Sequence, residues 1–310
     1  MLPRSLTPMQ PVLKGEPFDS PNHIFQVKWD GIRLLSFVEA GIVRLQNRRL
    51  RDRSDAYPEL LTLPQMLRAD GILLDGEVIV LGPKGPSFPA VLRREQVTTK
   101  RRAALLAQEV PICYMVFDLL FVGGQSLLDQ PLVERQQRLR EVLTADSLVH
   151  IVDNFPSGRT LFAAVKKAAL EGIVAKKKNS SYVPGTKTKA WQKIKVRRQQ
   201  LCVVGGYLSA GPKLRSLLVG AWLEEQLLYL GRVGTGLTTE ESTLLEKTLP
   251  RLVAPTCPFA PGQQVPAAQW TYPVLPVAVE FSEWTEELHL RAPSIVGFPQ
   301  VEAADCRLER

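Results

Sequence analysis

Strand-like runs dominate this chain, and they do not alternate regularly with helices. Ile24–Val27, Leu34–Glu39, Ile42–Leu45, Ile72–Val80 and Ile112–Leu120 are short, rich in β-branched and aromatic residues, and bounded by Gly, Pro or Asp. Helix-period apolar positions recur in Leu132–Val142, Arg159–Ala169 and Glu240–Leu249, the last preceded by Thr238 and Thr239 as caps. A doubly wound parallel sheet requires stricter βαβ alternation, so the expected class is α+β.

The pattern changes near residue 198. Beyond it lie Leu201–Leu208, Ser216–Leu223, Gln226–Arg232 and Val277–Trp284, separated by Gly-Pro, Glu-Glu and Gly-Thr-Gly turns, with one helix and a Pro-rich loop from Pro255 to Pro276. A five-stranded barrel with an inserted helix, an OB-fold, is the most economical reading, and such barrels bind nucleic acid on one face. With 310 residues available, two domains are expected, 1–198 and 199–310.

Composition narrows the function. Lys plus Arg number 39 against 31 Asp plus Glu, a net charge of +8 that suits a polyanionic partner. The basic residues cluster: Arg44, Arg48, Arg49, Arg51 and Arg53; Arg93, Arg94, Lys100, Arg101 and Arg102; and a third group from Lys176 to Arg198. The four cysteines and three histidines are scattered, which disfavours a zinc site or a disulfide framework. A metal here would take carboxylate ligands, as magnesium or manganese does. No apolar run reaches the roughly 18 residues of a membrane helix, and Met1-Leu2-Pro3-Arg4 does not open a signal peptide, so a cytoplasmic, nucleoid-associated protein is expected.

Two familiar phosphate-binding signatures do not apply. Gly185-Thr186-Lys187-Thr188 lacks the adjacent Gly-Lys and upstream glycine of a P-loop, and Gly231, Gly234 and Gly236 are misspaced for a dinucleotide fingerprint. The chemistry concentrates elsewhere. In Lys28-Trp29-Asp30-Gly31-Ile32-Arg33 a strand delivers a lysine into a tight turn, with an arginine five residues on. Leu74-Asp75-Gly76-Glu77 puts a carboxylate at a strand–turn boundary, Phe117-Asp118 lies in an apolar strand, and Glu171-Gly172-Ile173-Val174-Ala175-Lys176 has an acid and a base at either end of a strand. Trp191-Gln192-Lys193-Ile194-Lys195 places two lysines on one strand face.

In order and spacing these segments resemble the nucleotidyltransferase motifs of ATP-dependent DNA ligases, K-x-D-G-x-R, D-G-E, the F-D strand, E-G-x-V-x-K and W-x-K-x-K. Val203-Val204-Gly205-Gly206-Tyr207, Gly231-Arg232-Val233-Gly234-Thr235-Gly236, Glu280-Phe281-Ser282-Glu283-Trp284 and Leu290-Arg291-Ala292-Pro293-Ser294 resemble the OB domain of bacterial ligases of the LigD or LigC type. The resemblance implies a nucleotidyltransferase domain, with ATP-grasp-like antiparallel sheets and helices, followed by an OB-fold barrel.

It also implies roles. Lys28 would attack the α-phosphate of ATP and carry AMP. Lys176, Lys193 and Lys195 would stabilise phosphoryl charge. Arg33 and Arg48 would hold phosphate or sugar, and Phe117 would stack on adenine. Glu77 and Glu171, with Asp30 assisting, would serve Mg2+ or Mn2+. Arg291 would orient pyrophosphate in the first step. Two departures stand out: Asn47-Arg48-Arg49-Leu50 replaces the usual S-R-N-G, and Gln26 stands where many relatives carry Glu near adenine. Nicked duplex DNA is the implied substrate, with a monomeric enzyme and a Ku-like end-bridging protein for double-strand breaks. The alternatives are an RNA ligase or capping-type nucleotidyltransferase, and a non-catalytic basic OB-containing DNA-binding protein.

Overall fold

The computed structural model describes every residue except Lys84, Glu283, Glu286, Glu309 and Arg310, so Glu283 of the expected Glu280–Trp284 segment lies outside the described residues. The chain divides into two compact units, Met1–Val196 and Arg197–Arg310. In the first unit the elements run β1 (Gln10–Leu13), β2 (His23–Lys28), β3 (Ile32–Glu39), β4 (Ile42–Asn47), β5 (Ile72–Ile79), β6 (Leu81–Gly82), β7 (Gly85–Pro86), α1 (Phe88–Glu95), α2 (Lys100–Glu109), β8 (Cys113–Val122), β9 (Gln125–Ser126), α3 (Leu132–Val142), β10 (Val149–Ile151), α4 (Gly158–Lys167), β11 (Gly172–Lys177) and β12 (Lys187–Lys195).

These strands form two principal sheets. One has the order β1-β12-β11-β2, and the other β10-β8-β5-β3-β4 with β9 on β8. All pairings are antiparallel except β1 with β12 and β10 with β8. Alternation decides which residues face inward. In the four-stranded sheet Phe25, Ile173, Ala175 and Ile194 share a face and pack with Leu161 and Val165 of α4. In the larger sheet Leu34, Val38, Leu74, Val78, Tyr114 and Leu119 face a core closed by Leu106 and Leu139 of α2 and α3. Its opposite face contributes Leu35, Phe37, Leu73 and Leu120 to a cluster shared with Trp191 of β12.

The second unit holds β13 (Arg198–Ala210), β14 (Lys213–Leu223), β15 (Gln226–Val233), α5 (Thr239–Thr248), β16 (Gln269–Phe281) and β17 (Ser294–Gly297). The sheet order is β15-β14-β13-β16-β17. Hydrogen bonds from Leu290 N to Leu230 O and from Ile295 N to Thr235 O, 2.8 and 2.9 Å, close it. This is the expected five-stranded barrel with one helix. Thr238 caps α5 in a reciprocal capping box with Glu241.

The sequence reading misses part of β16. Gln269–Pro276 falls within the expected loop but is strand, because Pro273 occupies a register break where Val204 pairs with Leu275 and Gly206 with Trp270. Helices α1 and α2 carry the second basic cluster, with Ser87 and Thr99 as N-caps. Among the described residues no helix is long and apolar enough to cross a membrane.

Candidate active site

The inner faces of the two sheets in the first unit enclose a cleft of about 1170 Å³. The four-stranded sheet supplies three adjacent rows. Lys28 pairs with Gly172 and Gly172 with Lys195; Gln26 with Val174 and Val174 with Lys193; Ile24 with Lys176 and Lys176 with Trp191. Because neighbouring strands lie about 4.8 Å apart, this register gathers amines from three strands on one face. Lys28, Lys176, Lys193, Gln26 and Trp191 line the cleft, as do Arg33, Arg48, Glu77 and Phe117.

Two glycines make the close approaches possible. A Cβ on Gly31 would lie 2.1 Å from the Val78 carbonyl oxygen, so only glycine lets the turn after Lys28 pass against β5. Gly172, with φ +152°, would put a Cβ 2.2 Å from the Ile194 carbonyl oxygen. It places Glu171 beside Lys28. The Lys28 ammonium donates to Glu171 Oε2, and Lys195 Nζ lies 2.7 Å from Glu171 Oε1. Glu171, Lys195 and Asp30 do not themselves line the cleft. Glu171 and Lys195 reach it through Lys28, whereas Asp30 stays in the β2–β3 turn.

Burial pushes the Glu77 carboxyl up to about 7, with Glu171 and Asp75 adding to the rise against the opposing pull of Lys28 and Arg33. Lys193 is pushed down, first by desolvation and then by Lys195 and Lys28. Lys176 is 2% exposed, its Nζ has no hydrogen-bond partner among the described residues, and burial lowers it to about 7. It lies 4.1 Å from the ring centroids of both Phe117 and Trp191. Phe117 reaches the cleft through a bulge: Asp75 pairs with Asp118 but Gly76 with Val116, leaving Phe117 as the extra residue.

Arg33 is more constrained than its motif suggests. Its Nε and Nη2 grip Asp75 at 2.8 and 2.5 Å, Nη1 donates to the Met9 carbonyl at 2.7 Å, and Nη2 also meets Tyr182 Oη at 3.2 Å. Most of its donors are thus engaged within the protein. Arg48 is differently placed, exposed at the cleft edge and donating to Gln10 Oε1 at 2.9 Å. Asn47 Oδ1 accepts from the Arg49 and Arg51 amides at 2.9 and 3.1 Å, and Leu50 adopts φ +62°, the conformation a glycine would take. The departure from S-R-N-G therefore keeps a side-chain-braced turn. Arg291 lies in the second unit, exposed between β16 and β17.

Sequence reasoning gave no role to Asp75, Tyr182, Asn154 or Gln136. Asp75 and Tyr182 hold Arg33, while Asn154 and Gln136 link Gln26 to β8. The aspartate of the D-G-E segment was the available signal for Asp75; the others belong to no motif quoted above.

Comparison with known proteins agrees with this geometry. A family model described as the ATP dependent DNA ligase domain matches residues 1–195, and one for the ATP dependent DNA ligase C terminal region matches 210–300. The multifunctional non-homologous end joining DNA repair protein LigD of Mycobacterium tuberculosis is 34% identical over 283 residues, covering 88% of this chain and 35% of LigD. The chain thus spans about a third of that relative's length. DNA ligase C of the same organism is 29% identical over 258 residues, covering 79% of this chain and 71% of the relative. A solved structure of mycobacterial DNA ligase D complexed with ATP and MES covers 99% of both chains with a TM-score of 0.58 and 31% identity. The fold is accordingly the nucleotidyltransferase and OB-fold pair of those ligases, and the chain belongs to the ATP-dependent DNA ligase family.

Proposed function

We propose that this chain seals nicks bearing a 5′-phosphate and a 3′-hydroxyl in duplex DNA at the expense of ATP, with Lys28 as the covalent carrier of AMP. The observation that carries the reading is the convergence of Lys28, Lys176 and Lys193 from three adjacent strands into one cleft. An unpartnered, buried amine at Lys176 fits a phosphate-bearing ligand.

In the first step the Lys28 amine attacks the α-phosphorus. A P–N bond forms, the α–β P–O bond breaks, and pyrophosphate leaves with the electron pair. The amine must first lose a proton, and Glu171 Oε2 is already in contact with it. Lys176 and Lys193 stabilise phosphoryl charge, with Lys195 acting through its pairing to Glu171. AMP then passes to the 5′-phosphate of the nick, and the 3′-hydroxyl displaces it to form the phosphodiester. Arg48 is a cleft-edge arginine suited to phosphate, Phe117 offers an aromatic wall to adenine, and Arg291 serves pyrophosphate orientation in the first step.

Glu77 and Glu171 suit a hard divalent cation. Among the described residues no cluster of three or more His, Cys, Asp or Glu could hold a metal by itself, whereas Mg2+ needs only one or two carboxylates beside substrate phosphate. Glu77 lines the cleft, and Glu171 is paired with the Lys28 amine that reaches into it. Bound there, Mg2+ or Mn2+ would neutralise phosphate charge during transfer.

Intact-mass analysis tests the proposal. Wild type incubated with ATP and Mg2+ is expected to gain one AMP, and Lys28→Ala none. Labelling from GTP alone would favour a capping-type enzyme, and wild type that gains no nucleotide while binding nicked DNA would favour a non-catalytic binder. Action on double-strand breaks with a Ku-like end-bridging protein extends the reading and is supported by the end-joining name of the LigD relatives.

A further inference from the structure

Three side-chain amides form a directed chain behind the cleft. Gln26 Nε2 donates to Asn154 Oδ1 at 2.8 Å, Asn154 Nδ2 donates to Gln136 Oε1, and Gln136 Nε2 donates to the Phe117 backbone carbonyl at 3.0 Å. A backbone carbonyl can only accept. It therefore fixes which way round the Gln136 amide sits. Gln136 in turn fixes Asn154, and Asn154 fixes Gln26. The remaining carboxamide oxygen of Gln26 accepts no hydrogen bond among the described residues, and Gln26 lines the cleft on the same strand face as Lys28.

The frame around this chain is rigid. Phe25 and Phe155 exchange two backbone hydrogen bonds, 3.0 and 2.8 Å, which set Asn154 beside Gln26. Arg135, next to Gln136, grips Asp118, next to Phe117, through two 2.8 Å contacts, and both side chains are fully buried. The end of the chain that imposes polarity is thus tied down by the neighbouring ion pair.

We infer that Asn154 and Gln136 are positioning residues that hold the Gln26 carboxamide with its oxygen toward the base, so that the cleft selects a purine carrying a 6-amino group over one carrying a 6-oxo group. The inference rests on the proposed transfer of nucleotide to Lys28. An amine at position 6 donates to the waiting oxygen. An oxo group opposes one acceptor to another and leaves that pair without a hydrogen bond. A carboxylate at position 26 would present an acceptor whichever way it turned, but an amide can do so only if its orientation is imposed.

The test compares covalent labelling by ATP and by inosine triphosphate, which carries the 6-oxo group. Wild type is expected to favour ATP. Asn154→Ala is expected to lower the ratio of the two kcat/KM values about tenfold, because Gln26 becomes free to turn its amine inward. Adding Gln26→Glu to that variant is expected to restore the ratio, since a carboxylate has no donor to present. Damage that was merely structural would slow both nucleotides alike, without rescue. Should Asn154→Ala unfold, the near-isosteric Gln136→Met removes the acceptor that orients Asn154 and carries the same comparison. A wild-type ratio in these variants, with wild type itself labelled normally, overturns the relay and leaves the ligase reading intact. Wild type that accepts neither nucleotide overturns both.

Discussion

Lys28 and Glu171 are joined in an ion pair at the end of β2, and the same carboxylate holds Lys195 at 2.7 Å. One acid thus serves two amines from strands on either side of β11. Glu171→Gln removes their shared counter-charge and leaves like charges adjacent. It is expected to slow AMP transfer to Lys28 at least about tenfold. A matching rise in the Mg2+ concentration for half-maximal rate would place the cation on Glu171. An unchanged metal dependence would confine Glu171 to positioning Lys28.

Lys176 is costly to the folded state. Below about pH 7 its amine is charged whether the chain is folded or not, and the folded protein bears the whole desolvation cost. Between about 7 and 10.5 the unfolded chain retains a proton that the folded chain has lost, so this residue makes stability rise with pH. Lys176→Met is expected to stabilise the nucleotide-free protein by about 1–2 kcal/mol at pH 6, to flatten that slope, and to abolish AMP transfer. Urea unfolding at pH 6 and pH 9 checks the first two outcomes, and intact mass checks the third.

Leu50 carries a left-handed backbone at φ +62° while the residue is 47% exposed. The strain of roughly 1–2 kcal/mol exceeds the unfolded-state entropy that glycine adds. Leu50→Gly is therefore expected to raise stability by about 0.5–1 kcal/mol. A destabilised variant would show that Leu50 packing outweighs the backbone term.

Arg135→Met leaves the Asp118 carboxylate buried without its partner and is expected to cost about 3–5 kcal/mol. The double variant Arg135→Met with Asp118→Asn is expected to recover a large part of this. Denaturation of all four combinations gives the coupling directly.

Arg291→Ala is expected to lose AMP transfer from ATP yet to seal a nick that already carries adenylate. Equal loss in both assays would remove Arg291 from the first step alone and make it a general contributor.

The residues that line the cleft were more legible than the framework that holds them. Lys28, Glu77, Lys176 and Lys193 were readable because each sits in a short local pattern, and the strands carrying them are punctuated by glycine and aspartate. β1 escaped because its Gln-Pro-Val-Leu sequence shows no alternation and its strand pairing is to distant β12. The Gln26–Asn154–Gln136 chain escaped for a related reason. Its links join residues 128 and 18 positions apart, and only the fold brings them together.

The lysine array is spaced by the hydrogen-bond lattice of a sheet, and this makes it brittle toward frameshifted pairing. Inserting one residue within β11, between Gly172 and Lys176, would turn Lys176 toward α4 while its neighbours kept their places. Conservative substitutions within that strand could leave the array aligned, whereas the shortest in-frame insertion would scramble it. In this corner of the molecule, chain length between landmarks matters more than the lettering that fills it.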